Sequence, residues 1–511
     1  MNCINCSAEL KDNAKVCYFC GTKVESNQKR YNKILRRIFY GIIATFALIT
    51  TVLLVGFIVK KTTPQSVQPT ENVFYIKGGS LYHTPLNEIK PLEIVKDYYK
   101  DHTSEPQPLN LSTNGKWLFY SLVDGKSEYF RYRLNSLSDE KHKIASDVES
   151  FTTNTKGNKF YYISKHNLYK ANTKKAQKID QEVSKFYTDQ KCSRIIYSKT
   201  DGSLYEKNNK KAAKKIADQA DIQYVSKDLN TIYYSDGNEL FLIKNCQDKI
   251  SISKDKPLIL YVYENGDMYY QTTTNSSVGN WSIFYCSEGH SKPVNSPFET
   301  LTKIKQKDLK MYAFNPNGKE LFYIINEKNK SNLYHVSLNK DTVSESKMEA
   351  KDVIGYINAF NDDSFAYLKN PKNHGSTGDL YINNHKVDTD VCSLFSDQLE
   401  KTGNLLYAKN VKQLKNNKDK STCTLMLYHN GRIQKIADNV VDYKIQEDKI
   451  IYLSLTNASA TSGLLRVYNN SGENRIIDTD VNTILTPNTY CDEVIKTNDN
   501  QKIIAQKSKA K

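Results

Sequence analysis

Cys3, Cys6, Cys17 and Cys20 are the residues whose type and spacing specify chemistry most directly. They make two Cys-x-x-Cys pairs separated by ten residues, in a segment too short to build an apolar core. Each pair lets two thiolates converge on one ion from a tight knuckle, and two knuckles complete the closed tetrahedral set that structural zinc prefers. Metal binding would also supply folding energy that some twenty residues cannot gain from burial. Disulfides or a redox pair are the alternative use of this spacing, less suited to a cytoplasmic location. With four protein ligands no coordination position stays open for substrate, so the expected zinc is structural.

Other chemistry is hard to find in the chain. There is no GxSxG, HExxH, Walker loop or GxGxxG following a strand. His83, His335 and His429 each follow Leu-Tyr, but related stretches place Lys170, Glu206 or Arg466 near that point, so a polar, solvent-facing strand position is expected. The stretch Ser198 to Tyr205 (SKTDGSLY) has an acidic residue one place away from an Asp-box pattern and is expected to be a DG hairpin turn. Cys192, Cys246, Cys286, Cys392, Cys423 and Cys491 stand singly and far apart, which favours free thiols, although their even number also permits disulfides.

What must position the cysteines is set by the stretch from Ile38 to Val59, twenty-two residues without charge or proline. As a helix rising about 1.5 Å per residue it would match the roughly 30 Å hydrocarbon core of a bilayer. It exits into Lys60 and Lys61 rather than a small-residue cleavage site, so an uncleaved anchor is expected. Lys29, Arg30, Lys33, Arg36 and Arg37 precede it, which places the amino terminus in the cytoplasm and the remainder outside. The expected order is a zinc ribbon over 1–24, a basic juxtamembrane segment over 25–37, the membrane helix over 38–59 and a Pro-containing linker over 60–71. A repeat region over 72–490 and a tail over 491–511 follow.

The outer part is rich in Tyr and poor in Gly and Pro, which favours strands. Of the 72 Lys or Arg and 56 Asp or Glu, 10 and 3 precede residue 62, so the outer part is only mildly basic. No block of like charge or aromatic-interleaved basic patch points to nucleic acid. An aromatic strand, a polar turn and a Leu-Tyr strand recur, as in VFYIKGGSLY (73–82), FYYISKHNLY (160–169), IIYSKTDGSLY (195–205) and IYYSDGNELF (232–241). Further copies begin near Trp117, Leu258, Leu321, Phe365, Leu405 and Ile450, mostly 35 to 45 residues apart, which is the spacing of one four-stranded propeller blade. The expected fold is an all-β propeller, one large or two smaller, with a candidate sub-boundary near 290–310.

Two resemblances sharpen this reading. Residues 1–24 resemble the short zinc-ribbon module at the amino terminus of many bacterial membrane proteins, with Gly21 after the last cysteine as expected and Ser7 where glycine is usual. Residues 311–323 (MYAFNPNGKELFY) look like the PD40 or TolB-type propeller repeat, and STNGKWLFY (112–120), NTKGNKFYY (154–162) and SKDLNTIYY (226–234) are weaker copies. The resemblance implies a WD40-like propeller that binds macromolecules or accompanies a separate catalytic domain; without a GxSxG motif, a serine-peptidase domain is not expected. The expected function is a membrane-anchored, non-catalytic binding or sensing protein of a bacterial cell envelope. Its propeller would bind an envelope or cell-wall macromolecule outside and its ribbon a cytoplasmic protein. The alternative is an envelope glycan hydrolase or lyase that uses carboxylates in the propeller channel.

Overall fold

The computed structural model describes residues 2–23, except 4, 12 and 13, and residues 72–488, except 100–108, 123–127, 135–140, 209–210, 246, 248, 255–256, 273–280, 295–303, 328–329, 361–363, 396–403, 415–420, 447–448, 458 and 470. The chain divides into two compact units, Met1–Val67 and Gln68–Lys511. Among the described residues no helix is long and apolar enough to cross a membrane. The expected anchor over 38–59, its basic flank, the linker and the tail lie outside the described residues.

The second unit is built from antiparallel sheets in which strands consecutive in sequence are neighbours, except that Lys347–Ala350 pairs with Lys330–Asn339 past a short intervening strand. Among the described residues there are ten four-stranded sheets. Six, beginning at Asn110, Val148, Val183, Asp221, Leu258 and Leu309, are separate, and the sixth carries the short extra strand Thr342–Val343. The other four are joined into one continuous run of thirteen strands. In that run a long strand serves two sheets. His385–Phe395 pairs through residues 385–391 with Thr377–Ile382 and through 391–395 with Leu405–Gln413. Arg432–Gln446 and Asn474–Leu485 do the same for the following sheets.

The second strand of each sheet explains the aromatic runs in the sequence. Successive side chains of a strand point to opposite faces, and here both faces are covered. Phe74 and Ile76 pack with Leu118 and Tyr120 of the next sheet, whereas Val73 and Tyr75 pack with Ile451 and Leu453 of the last. Likewise Leu321 and Tyr323 face the preceding sheet, and Phe322 and Ile324 the following one. A strand sandwiched in this way must be apolar at every position, so it reads as a continuous run rather than an alternation. Each such fully buried side chain stabilises by roughly 1.5–3 kcal/mol.

Ten apolar clusters connect the ten sheets, each shared by two neighbours, and the tenth joins the last sheet to the first. An open stack of ten would have nine such interfaces. The unit is therefore a closed ring, the arrangement of a single β-propeller. Closure is also made by the backbone: Asn474–Leu485 pairs with Asn72–Lys77, and Asn488 bridges to Asn110. One cluster runs from Leu260 to Val343 across 290–310, where the gap between repeats suggests a sub-boundary. The repeat starts fall on second strands, except that Leu258 opens a first strand whose successor is Met268–Gln271.

The turns between first and second strands keep one conformation while their sequences vary. The N–H of Gly115, Gly157, Cys192, Leu229, Gly266 and Gly318 donates to the carbonyl three residues earlier at 2.7–2.9 Å, and all six have positive φ. Glycine is required where a neighbour crowds the turn: a Cβ on Gly318 would lie 2.5 Å from the Tyr261 ring, and one on Gly157 2.7 Å from Trp117. Where space is left, Cys192 and Leu229 accept the left-handed backbone and fill the adjoining clusters, both 0% exposed.

A second device recurs at the joints between sheets. Asp180, Asp388 and Asp478, each near the end of a sheet, accept hydrogen bonds from the Tyr and Lys of a Tyr-x-Lys motif on the next second strand. The pairs are Tyr197 with Lys199, Tyr407 with Lys409 and Tyr75 with Lys77, with all six distances between 2.7 and 2.9 Å. Two residues later Glu182, Asp390 and Asp480 take positive φ and turn the chain into the next sheet.

Gly318→Ala should lower stability by about 1–3 kcal/mol through overpacking and left-handed strain. Gly431 also has positive φ, but a Cβ there would meet no atom within 4 Å. Gly431→Ala should therefore cost less, and equal losses in thermal unfolding would contradict the crowding account.

Candidate metal centre and ring cleft

The amino-terminal unit brings all four predicted cysteines together. Two knuckles are built alike: Cys3 N donates to Ala8 O at 2.9 Å and Ser7 N to Cys3 O at 2.9 Å, while Cys17 N donates to Thr22 O and Gly21 N to Cys17 O, both at 2.8 Å. Ser7 and Gly21 occupy matching left-handed positions at φ 57° and 73°. Serine thus adopts the conformation for which glycine is usual, and the first knuckle keeps the shape of the second.

The four sulfurs lie within 4.8 Å of one another, with Cys3–Cys20 and Cys6–Cys17 at 3.6 Å. A tetrahedron with metal–sulfur bonds of about 2.3 Å has edges of ~3.8 Å, so the donor set fits a tetrahedral thiophilic ion. Cys3 and Cys17 are buried with Leu10, and this is all the apolar core the described part of the unit has besides Ala14. Hydrogen bonds from the Thr22 hydroxyl and N–H bring the Cys20 thiol down to about 6, and the backbone N–H groups of Asn5 and Cys6 lower that of Cys3. Both sulfurs are thereby disposed to be thiolates, the form that binds metal. Among the described residues this is the one group of three or more His, Cys, Asp or Glu side chains whose donors converge.

The three histidines do not converge. His83 Nδ1 donates to the Asn72 side-chain oxygen at 3.3 Å, His335 meets Glu320 at 2.5 Å and stacks on Phe322, and His429 contacts Asn404, each within its own sheet. The expected solvent-facing position is corrected most clearly at His83, which is 0% exposed. Burial brings its pKa down to about 4. The Ser198–Tyr205 stretch is a hairpin turn with Gly202 at φ 83° and Asp201 accepting from Ser203 N–H. Cys192, Cys286, Cys392 and Cys423 are free thiols; Cys246 and Cys491 lie outside the described residues.

Sequence reasoning missed a cleft of about 740 Å³ on the ring. It is formed because two second strands are long: Phe365–Lys372 has 8 residues and Leu405–Gln413 has 9, against 5 or 6 in the first five sheets. Each continues past a bulge, at Lys369/Lys372 and Lys409/Lys412, with Asn370 and Asn410 in positive φ. The parallel sequences KNPK and KNVK are the signal that could have located these extensions. Asn373, Ser376 and Thr377 form one wall, Asn410, Val411 and Ser421 another, and Val440 to Tyr443 a third. Asp390, Cys392, Ser393, Ala408 and Cys423 complete the lining, and burial, with Cys392 nearby, pushes the Cys423 thiol up to about 11.

No family model matches the chain, and no curated protein matches it. Among solved structures it is similar to a eukaryotic initiation factor, at 9% identity over 81% of this chain and 96% of that one, with TM-score 0.43. It is also similar to Porphyromonas gingivalis dipeptidyl peptidase 4, at 12% identity, 73% coverage of this chain and TM-score 0.41; the chain spans 60% of that peptidase. The Myceliophteria thermophila Cps50 (Swd1) β-propeller domain is a third, at 9% identity over 51% of this chain and 93% of that domain, with TM-score 0.27. The fold described above rests on the strand pairing and the clusters.

Two outcomes are expected. In the full-length protein Cys17→Ser should lose stoichiometric metal, measured by elemental analysis, because only three thiolates would remain; retention of one tightly held ion would contradict the four-thiolate site. His83 should make stability fall as pH drops from about 6.5 to about 4, because the unfolded chain then binds a proton that the buried ring does not, a loss of up to about 3 kcal/mol. His83→Gln should flatten that part of the stability–pH curve relative to the parent.

Proposed function

We propose that the protein is a single-pass, membrane-anchored, non-catalytic binding protein, with a cytoplasmic structural zinc ribbon at Cys3, Cys6, Cys17 and Cys20 and an extracytoplasmic propeller that holds an envelope macromolecule. The anchor and its orientation are supported by the uncharged stretch at 38–59 and the cationic residues before it. Zinc is supported by the sulfur geometry and by the preference of closed four-thiolate sites for that ion. A cytoplasmic protein is the proposed partner of the ribbon, whose Tyr18 and Phe19 are each 68% exposed between the metal-site cysteines.

The observation that carries the binding reading is the chemistry of the cleft. Its carboxylates suit a fixed charge better than a proton donor: the Lys372 ammonium at 3.0 Å holds the Asp390 carboxyl below its ordinary range, and Asp442 accepts from Ile484 N–H. A glycan hydrolase needs one carboxyl kept protonated near neutral pH. Among the described carboxyl groups with a resolved shift, including Asp180, Asp379 and Glu349, every shift is downward.

Protease added to wall-stripped cells should remove the region beyond residue 62 and spare the segment before residue 38. Protection of the ring would reverse the orientation. In the same preparation, cell-wall fragments should be retained without time-dependent release of products; release lost on Asp442→Asn would replace binding by hydrolysis.

A further inference from the structure

The geometry points to a specific ligand class: we infer that the cleft between the long hairpins is a binding site for a neutral glycan. This rests on the reading of the ring as a binding domain and names what one part of it binds. The cleft's volume, about 740 Å³, falls within the roughly 300–1,000 Å³ of small-molecule pockets. It is open at the surface, with Val411 46% exposed and Ser421 exposed on its rim, so a chain longer than one sugar ring can pass through it.

The lining discriminates between ligand chemistries. Among the described residues no Lys or Arg lines it, so nothing described there attracts a phosphate-bearing polymer. Asp390 is paired with Lys372 at 3.0 Å and Asp442 lies 4.0 Å from Lys444, so each carboxylate already has a cation beside it and neither is free to select a polycation. What remains is hydroxyl and amide chemistry beside small apolar surfaces. The hydroxyls of Ser393 and Ser421 and the side-chain oxygens of Asn373 and Asn410 make no hydrogen bond within the described residues. The amide nitrogens of the two asparagines donate to Thr377 at 3.2 Å and Thr424 at 3.3 Å, which fixes where those oxygens sit. Val411, Val440 and Val441 supply an apolar side. A pyranose has the same division, hydroxyls around its rim and C–H groups on its faces. Such a site rejects a ligand lacking hydroxyls, because its polar groups would be desolvated without partners.

Construction of the cleft favours fixed recognition groups. Asn410 sits at a bulge inside a paired strand, Ser393 and Ser421 lie in paired strands, and the wall at Asn373–Gly375 is a 3-10 turn closed by Ser376. Strand-borne groups are held more closely than loop-borne ones.

The test uses the full-length protein in detergent and four neutral tetrasaccharides: chitotetraose, maltotetraose, cellotetraose and mannotetraose. Poly(glycerol phosphate) and an uncharged tetrapeptide serve as comparison probes. Binding is followed by calorimetry and by protection of Cys392, on the cleft lining, from maleimide, read at that residue by peptide mass spectrometry. At least one tetrasaccharide should bind and slow Cys392 labelling threefold or more, and Ser421→Trp, which fills the rim, should weaken binding at least tenfold with an unchanged melting temperature. Asn410→Asp should weaken it too, while keeping the left-handed backbone that Asp tolerates. Protection by the polyphosphate or the peptide, with none by any tetrasaccharide, would overturn the glycan assignment and leave the ring a binding domain. Tetrasaccharide binding without Cys392 protection would move the site elsewhere and overturn the cleft. Absence of protection by every probe would overturn the inference, while retention of cell-wall fragments by the same sample would show that the binding role survives it.

Discussion

Burial of both faces of every sheet is the constraint on which the large unit depends. A four-stranded antiparallel sheet with an apolar second strand cannot shield both its faces, and stacking on two neighbours solves this for every sheet except those at the ends of a row. Closing the row into a ring removes the ends. Here closure is built into the chain, because Asn474–Leu485 completes the last sheet through Asn474–Val481 and pairs with the first through Val481–Leu485. The recurrent Asp-to-Tyr-and-Lys contacts and the left-handed acidic residues beyond them tie neighbouring sheets together at three joints, including the closing one. The small unit solves its own shortage of apolar residues differently, with converging thiolates in place of a core.

Local departures from regularity are where the ring acquires surface features. In the first five sheets short hairpins end near the sheet edge, whereas the bulges at Asn370 and Asn410 let two hairpins run on and enclose a cleft. Joining of the last sheets into one continuous run supports these longer elements, since His385–Phe395 and Arg432–Gln446 each belong to two neighbouring sheets. Recognition groups are thereby carried on paired backbone.

The parts legible in the sequence were those with strong local constraint. Cys-x-x-Cys spacing located the cysteine cluster, and the uninterrupted apolar second strands gave the repeat starts at Val73, Trp117, Phe160, Ile195 and Ile232. First strands were harder to read because they begin polar and become buried only at one end, as in Val148–Thr153 and Asp221–Val225. Turn motifs understated the regularity, since Leu229 and Cys192 hold a glycine-type conformation without glycine. His83 was misplaced because a single polar residue does not reveal that Tyr132 of the next sheet packs against it. The cleft arises from strand length and bulge position in neighbouring sheets, which no short motif encodes, although KNPK and KNVK mark both extensions.

The most direct test of the closed ring compares two truncations by calorimetry. A chain ending after Asn488 keeps the closing strand and should unfold in the same cooperative transition as the parent. A chain ending after Gly472 loses the strand shared by the last and first sheets, and its opened row should unfold in broad, stepwise transitions at lower temperature. A single sharp transition, unchanged in temperature after loss of residues 473–511, would contradict a ring that depends on its closure.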